Sequence, residues 1–363
     1  MRYPCAMVIL PKRFAAPGVD DFLISEEKRL RRFVTSSSSS LLYALGPPLR
    51  DMPLQVRGST GPSGLAIHAP PPGSALAHNL APPQGGAARP AESPLQMFVS
   101  DTGRDVCVEA IVRRWPDVSA PLIIREFGSF GTGPGQLVGP GDLCVAPAEG
   151  LLLIAEACGL TAFHLGGTMP MAYKVGAKGS GPGAFKGVEG LAPCAGELYC
   201  CDSGNHRIQV LKTADGSFVR EFGGKGDAPG LFRKPAAIVV LDAASPAADL
   251  HASRASIRVI VGETTGKRVQ VCTAFGAPLQ LISTLMLPSS EIDARDDEHR
   301  AQASGGAAPA ARIACFAVDA ERRRLYAATQ SANSRLYVWR LLPPRGEGMV
   351  AAGTASAAEQ HPH

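Results

Sequence analysis

The feature that most constrains this chain is a recurring unit of apolar runs and turn formers, clearest over residues 197–222 (ELYCCDSGNHRIQVLKTADGSFVREF). Leu198, Tyr199 and Cys200 make a strand-like run, and Asp202, Ser203, Gly204 and Asn205 form a turn. Ile208 and Val210 alternate with Gln209, the two-residue period of a half-buried strand. Asp215-Gly216 signals a hairpin, and Phe218 and Arg220 continue into another strand. Residues 258–282 (RVIVGETTGKRVQVCTAFGAPLQLI) follow the same grammar: Val259, Ile260 and Val261 replace the first run, and Arg268 to Val271 match Arg207 to Val210. An apolar strand precedes each unit, over residues 188–193 and 235–240, so each unit holds four strands.

Weaker copies flank these two. They cover residues 152–163, residues 97–108 with a last strand near 123–128, residues 325–339, and residues 22–34 closed by residues 41–45. About six units result. A four-stranded unit cannot bury both faces alone, so neighbours must stack and the array must be a repeat architecture. Four antiparallel strands per repeat predict an all-β fold: a β-propeller of six blades with long disordered insertions. The two-residue period excludes a helical solenoid.

The linkers between units share one form: FGSFGTGPGQLVGP (127–140), GAKGSGPGAFKG (176–187) and FGGKGDAPGLFRKP (222–235). With DSGNHRIQVL (202–211), they resemble the NHL-repeat β-propeller family, most strongly over residues 121–282. The resemblance implies a platform for protein partners, such as the recognition part of a ubiquitin ligase, or for single-stranded RNA. The Cys and His spacing lacks a RING, so any ubiquitination role would be that of an adaptor. A propeller lyase of the wider family uses central His residues with a metal, and no matching set is visible here.

The copies depart from the family pattern in places. The third unit has Glu156 but no Arg after its turn, and the sixth has Thr329 at the acidic position. Insertions at 69–94, 242–255 and 289–311 read as mobile loops, within a propeller over 1–344 followed by a disordered tail over 345–363. The first unit supplies four strands from near Ala6 and the last only three. This leaves an exposed edge, a loan of residues 1–10 to the last blade, or chain ends outside this sequence.

Composition narrows the partners. A net charge of +4 over 363 residues is too small to imply nucleic acid by itself, and no DNA partner is expected. Nine Cys without a CxxC suit buried, reduced thiols in a cytoplasmic protein. No run reaches the roughly 20 apolar residues of a membrane helix. A monomer is expected.

In an antiparallel meander, the turn between the second and third strands shares a face with the inter-blade linkers. That face gathers the candidate partner-binding residues Arg104, His206, Lys225, Arg233, Lys234 and Lys267, with Lys178 and Lys186 nearby. Asp202, Arg207, Glu263, Arg268 and Arg335 recur at fixed repeat positions. They are read as structural, each Arg bonding a turn carbonyl or its own blade's acid. The Gly-rich linkers lack the Lys-Ser/Thr and the helix of a phosphate loop. Ser203, His206 and Asp202 are too local for a catalytic relay. The eight His occupy different repeat positions, so no metal, cofactor or catalytic set is assigned. Asp142, Glu189 and Glu263 are scattered acids, leaving a channel-centred hydrolase or lyase as one alternative. RNA would want aromatic platforms; Phe130, Phe185 and Phe232 read instead as plugs between blades, so protein partners are favoured over RNA.

Overall fold

A computed structural model of the chain describes residues 4–10, 21–26, 29–34, 50–52, 63–70, 95–112, 122–242, 256–265, 268–282, 312–319, 324–330 and 336–340. They form six antiparallel sheets. The first blade holds β1 (Pro4–Ile9), β2 (Asp21–Glu26), β3 (Arg29–Val34) and β4 (Arg50–Met52). The second holds β5 (Leu65–His68), β6 (Leu95–Asp101), β7 (Val106–Val112) and β8 (Leu122–Phe127). The third holds β9 (Leu143–Ala146), β10 (Leu151–Glu156), β11 (Gly159–His164) and β12 (Met171–Val175). The fourth holds β13 (Val188–Cys194), β14 (Glu197–Asp202), β15 (Arg207–Lys212) and β16 (Phe218–Gly223). The fifth holds β17 (Pro235–Asp242), β18 (Ile257–Glu263), β19 (Val269–Thr273) and β20 (Pro278–Ile282). The sixth holds β21 (Arg312–Asp319), β22 (Arg324–Gln330) and β23 (Leu336–Arg340).

Each sheet is a meander whose first strand lies innermost. β1 packs against β5, β5 against β9, β9 against β13, β13 against β17, β17 against β21, and β21 back against β1. This closed circuit of inner strands defines a six-bladed β-propeller. The only described helical element is a 3₁₀ turn, Ser203–Asn205. Among the described residues no helix is long and apolar enough to cross a membrane.

The expected loan of residues 1–10 to the last blade does not occur, since residues 4–9 form β1 of the first blade. β1 pairs with β2 in its own blade, and the sixth blade has three strands among the described residues. The ring closes through side-chain packing: Met7 and Ile24 of the first blade meet Cys315, Ala317, Tyr326 and Ala328 of the sixth. Every other blade junction carries its own apolar cluster. Burial is thus concentrated between blades, as stacked repeats require. The fourth strand of the first blade is Arg50–Met52, with Leu30 opposite Met52. Residues 41–45, expected to close this blade, lie outside the described residues. An apolar run alone cannot choose the partner of an edge strand; the ladder does.

A second tie between blades was not anticipated. Arg125, Tyr173 and Arg220 occupy one repeat position, opposite Glu109, Ala162 and Val210 on the adjoining strand. Each donates a hydrogen bond to a turn carbonyl of the next blade: Arg125 to Gly167 (2.6 Å), Tyr173 to Thr213 (2.6 Å) and Arg220 to Ala274 (2.9 Å). Buried carboxylates hold the two arginines, Glu109 for Arg125 and Glu197 for Arg220. Guanidinium forks satisfy several acceptors at once, so these side chains couple neighbouring blades without an inter-blade ladder.

Of the candidate insertions at 69–94, 242–255 and 289–311, residues 69, 70 and 242 are described, Asp242 as the last residue of β17; the rest of them, the tail 345–363, Lys267 and Arg335 lie outside the described residues.

Candidate binding face

The linkers are built on a repeated hydrogen-bond module. In the fourth blade, Asp202 is fully buried and accepts from Arg207 Nε (2.9 Å), Asn205 Nδ2 (2.8 Å) and the Lys186 N–H (2.9 Å). Arg207 also donates to the carbonyls of Gly181 and Ala184, each at 2.9 Å, and pairs with Glu221 at 2.6 Å. Gln209 donates to Ala184 O and accepts from Gly183 N–H. The fifth blade reproduces this. Glu263 accepts from Arg268 Nε (2.7 Å) and Arg233 N–H (3.0 Å), while Arg268 donates to Gly226 O and Leu231 O. Gln270 repeats the part of Gln209. Buried carbonyls and carboxylates are thereby paired, which their burial demands.

The third blade solves the same problem differently. Glu156 accepts the linker Val138 N–H (2.8 Å) and the Thr161 hydroxyl. Gly159 stands where Arg207 and Arg268 stand, and a Cβ there would lie 2.2 Å from Val175 O. The cation instead comes from the outer strand: Lys174 Nζ donates to Glu156 (3.0 Å) and to Gln136 O (2.9 Å). A parallel bridge then folds each linker back, Phe130 opposite Leu137, Lys178 opposite Phe185 and Lys225 opposite Phe232. Leu137, Phe185 and Phe232 are fully buried plugs. Phe130 is not a plug: it is 72% exposed and matches Lys178 and Lys225 in position, while Leu137 fills the slot.

Turns and linkers meet on one face. Thr264 and Thr265 in the β18–β19 turn donate to Lys234 O and Arg233 O. His206 Nδ1 accepts the Lys234 N–H at 3.1 Å. His206 is therefore neutral, with its proton on Nε2. Partial burial lowers its pKa, reinforced by Lys225, Lys234 and Arg233. Four of the candidate residues, His206, Lys225, Arg233 and Lys234, thus form one basic cluster beside the fourth and fifth blades. Arg104 lies apart, in the β6–β7 turn of the second blade, paired with Glu126 at 2.7 Å. Arg233 is held by both carboxylate oxygens of Asp227. Among the described residues, no carboxylate pairs with Lys178, Lys186, Lys225 or Lys234.

The axial channel has a different character. A cavity of about 630 Å³ is walled by inner strands from all six blades, including Met7, Ile67, Cys144, Ala237 and Cys315. Asp142 and Glu189 share its wall; they are not scattered, because the ring brings the starts of adjacent inner strands together. Glu263 does not join them; it is buried against Arg268. Burial pushes the Asp142 carboxyl up to about 6, although its Oδ2 accepts the Leu191 N–H at 2.9 Å. Among the described residues no group of His, Cys, Asp and Glu is placed to hold a metal. Among the described residues no cysteine is joined in a disulfide, and burial raises the thiol pKa values of Cys107, Cys200 and Cys272. Asp202 is committed to its module and His206 to Lys234 N–H, so neither relays a proton from Ser203.

No family model matches the chain, and no curated protein matches it in sequence. Two of the solved structures similar at low identity serve as examples. One is a crystal structure of a nidogen/laminin complex, at 14% identity and a TM-score of 0.45, covering 77% of this chain and 80% of that one. The other is the PQQ-bound form of an aldose sugar dehydrogenase from Streptomyces coelicolor, at 13% identity and a TM-score of 0.47, covering 93% and 94%. The propeller assignment itself rests on strand order and the closed circuit of inner strands.

Proposed function

We propose that this propeller is an NHL-type binding platform whose linker face takes protein partners, as a substrate-recognition or adaptor module in ubiquitination would. The observation that carries the reading is a division of labour among the charges of that face. Arg104, Arg207, Arg233 and Arg268 are each tied to a carboxylate, and the structure uses them to hold turns. Lys178, Lys186, Lys225 and Lys234 are exposed, and among the described residues none of their ammonium groups pairs with a carboxylate. Exposed cations on a rigid ring cost no ordering of the scaffold when a partner arrives. The same linkers carry the NHL resemblance, and their recurring module explains that sequence pattern physically.

The test is affinity capture with the full chain, in parallel with a variant changing these four lysines to Gln, each with and without RNase. Proteins captured by wild type after RNase and lost from the variant are the expected result. Proteins that vanish with RNase would instead make single-stranded RNA the ligand of this face. Capture unchanged by the variant would refute the assignment of the face.

A further inference from the structure

Lys234 sits at a backbone position that two other described linkers give to glycine. Its φ is +53°, in the left-handed region, where Gly139 (φ +59°) and Gly187 (φ +102°) occupy the matching places. Side chains are disfavoured there by backbone sterics. Crowding is not the reason for glycine: a Cβ on Gly187 would meet nothing within 4 Å, and on Gly139 only Thr102 at 4.0 Å. The position opens outward, and at Lys234 it carries an exposed ammonium. The amide there is capped in the same way in two linkers, Gly139 N–H by Asp105 Oδ1 (2.7 Å) and Lys234 N–H by His206 Nδ1 (3.1 Å). A carboxylate such as Asp105 would cap the amide and also neutralise a neighbouring lysine. His206 caps it and leaves the lysine uncompensated, with an Nε2–H as a further donor. A strained residue that the fold does not need is a pointer to use.

We infer that Lys234, Lys225 and His206 form an anion-recognition site for an acidic, Asp/Glu-rich segment of a protein partner. This rests on the linker face being the binding face. Two observations favour carboxylates over a nucleic acid. The one guanidinium in the cluster, Arg233, already spends its fork on Asp227, which leaves ammonium groups and an imidazole. No exposed aromatic ring lies beside Lys234, Lys225 and His206, because Phe232 is fully buried beneath them and the exposed Phe130 sits two linkers away; single-stranded RNA wants such a ring for stacking. Lys178 continues the row at the same linker position one blade away, so an extended acidic segment meets successive cations.

The experiment uses the full chain, fluorescein-labelled poly-L-glutamate and fluorescein-labelled polyuridylate, with Lys234→Gly and Lys212→Gln as variants. Lys212 is exposed at the far end of β15, so its variant removes the same charge from the opposite face. The expected result is that Lys234→Gly weakens poly-L-glutamate binding about fivefold, the size of one exposed charge contact. Its melting temperature should equal or exceed that of wild type, because glycine relieves the left-handed strain. Lys212→Gln should bind as wild type does. Equal weakening by both variants would reduce the effect to net charge and overturn the inference. So would tighter binding of polyuridylate than of poly-L-glutamate with the same dependence on Lys234. If RNase-resistant partners still depend on the four lysines while poly-L-glutamate ignores Lys234, the platform stands and the acidic-segment site falls.

Discussion

Replacing Arg207 by Ala is expected to destabilise the propeller by about 3–5 kcal/mol, the cost of breaking a buried ion pair from one side. The guanidinium is nearly buried and meets four acceptors: Asp202, Glu221, Gly181 O and Ala184 O. Alanine leaves Asp202 fully buried with only amide donors, and leaves Gly181 O without this donor. Glu221 is exposed enough to rehydrate, so the penalty falls on Asp202 and the linker. Denaturant unfolding of the full chain measures the loss. Arg207→Lys should recover part of it, since Lys174 serves Glu156 in the third blade. Partner capture by the folded fraction should persist. Unchanged unfolding together with lost capture would instead make Arg207 a contact residue.

Phe185→Ala should cost a similar amount, about 3–5 kcal/mol, as expected for truncating a buried aromatic plug. Phe185 is fully buried among residues of the third and fourth blades, including Leu160, Val188 and Cys200. Truncation opens a void at a junction that no inter-sheet ladder holds closed. Phe130→Ala is the matched control: its ring is 72% exposed, so its effect should stay within about 0.5 kcal/mol, as for surface changes in general. A comparable loss from both variants in the same thermal melt would contradict the assignment of the plugs.

These contrasts show what a linear sequence conveys here. The fourth and fifth blades are legible because Arg207–Val210 and Arg268–Val271 repeat both the two-residue period and the polar identities. The third blade is less so, since its cation moved from β11 to β12. Lys174 lies 15 residues beyond Gly159 in number, and only the sheet register brings it to Glu156. Phe130 misleads because an aromatic ring in a linker looks like a core residue. Aligning the linkers on their final apolar residue puts Leu137 with Phe185 and Phe232. Asp142 and Glu189 read as isolated acids until the ring sets neighbouring inner strands around one axis. The signal was available: each lies near the start of an inner strand. The clasp by Arg125, Tyr173 and Arg220 needed the register too, because three different contexts hide one repeat position.

The linker face therefore carries two populations of basic residues, arginines paired with carboxylates and exposed lysines to which a partner-binding role is proposed. Hydrogen–deuterium exchange on the full chain, with and without its RNase-resistant partner, addresses that role most directly. Protection should appear in the linkers over residues 176–187 and 224–234. Protection confined to the opposite turns, over residues 165–170, 213–217 and 274–277, with both linkers exchanging as in the free protein, would contradict it.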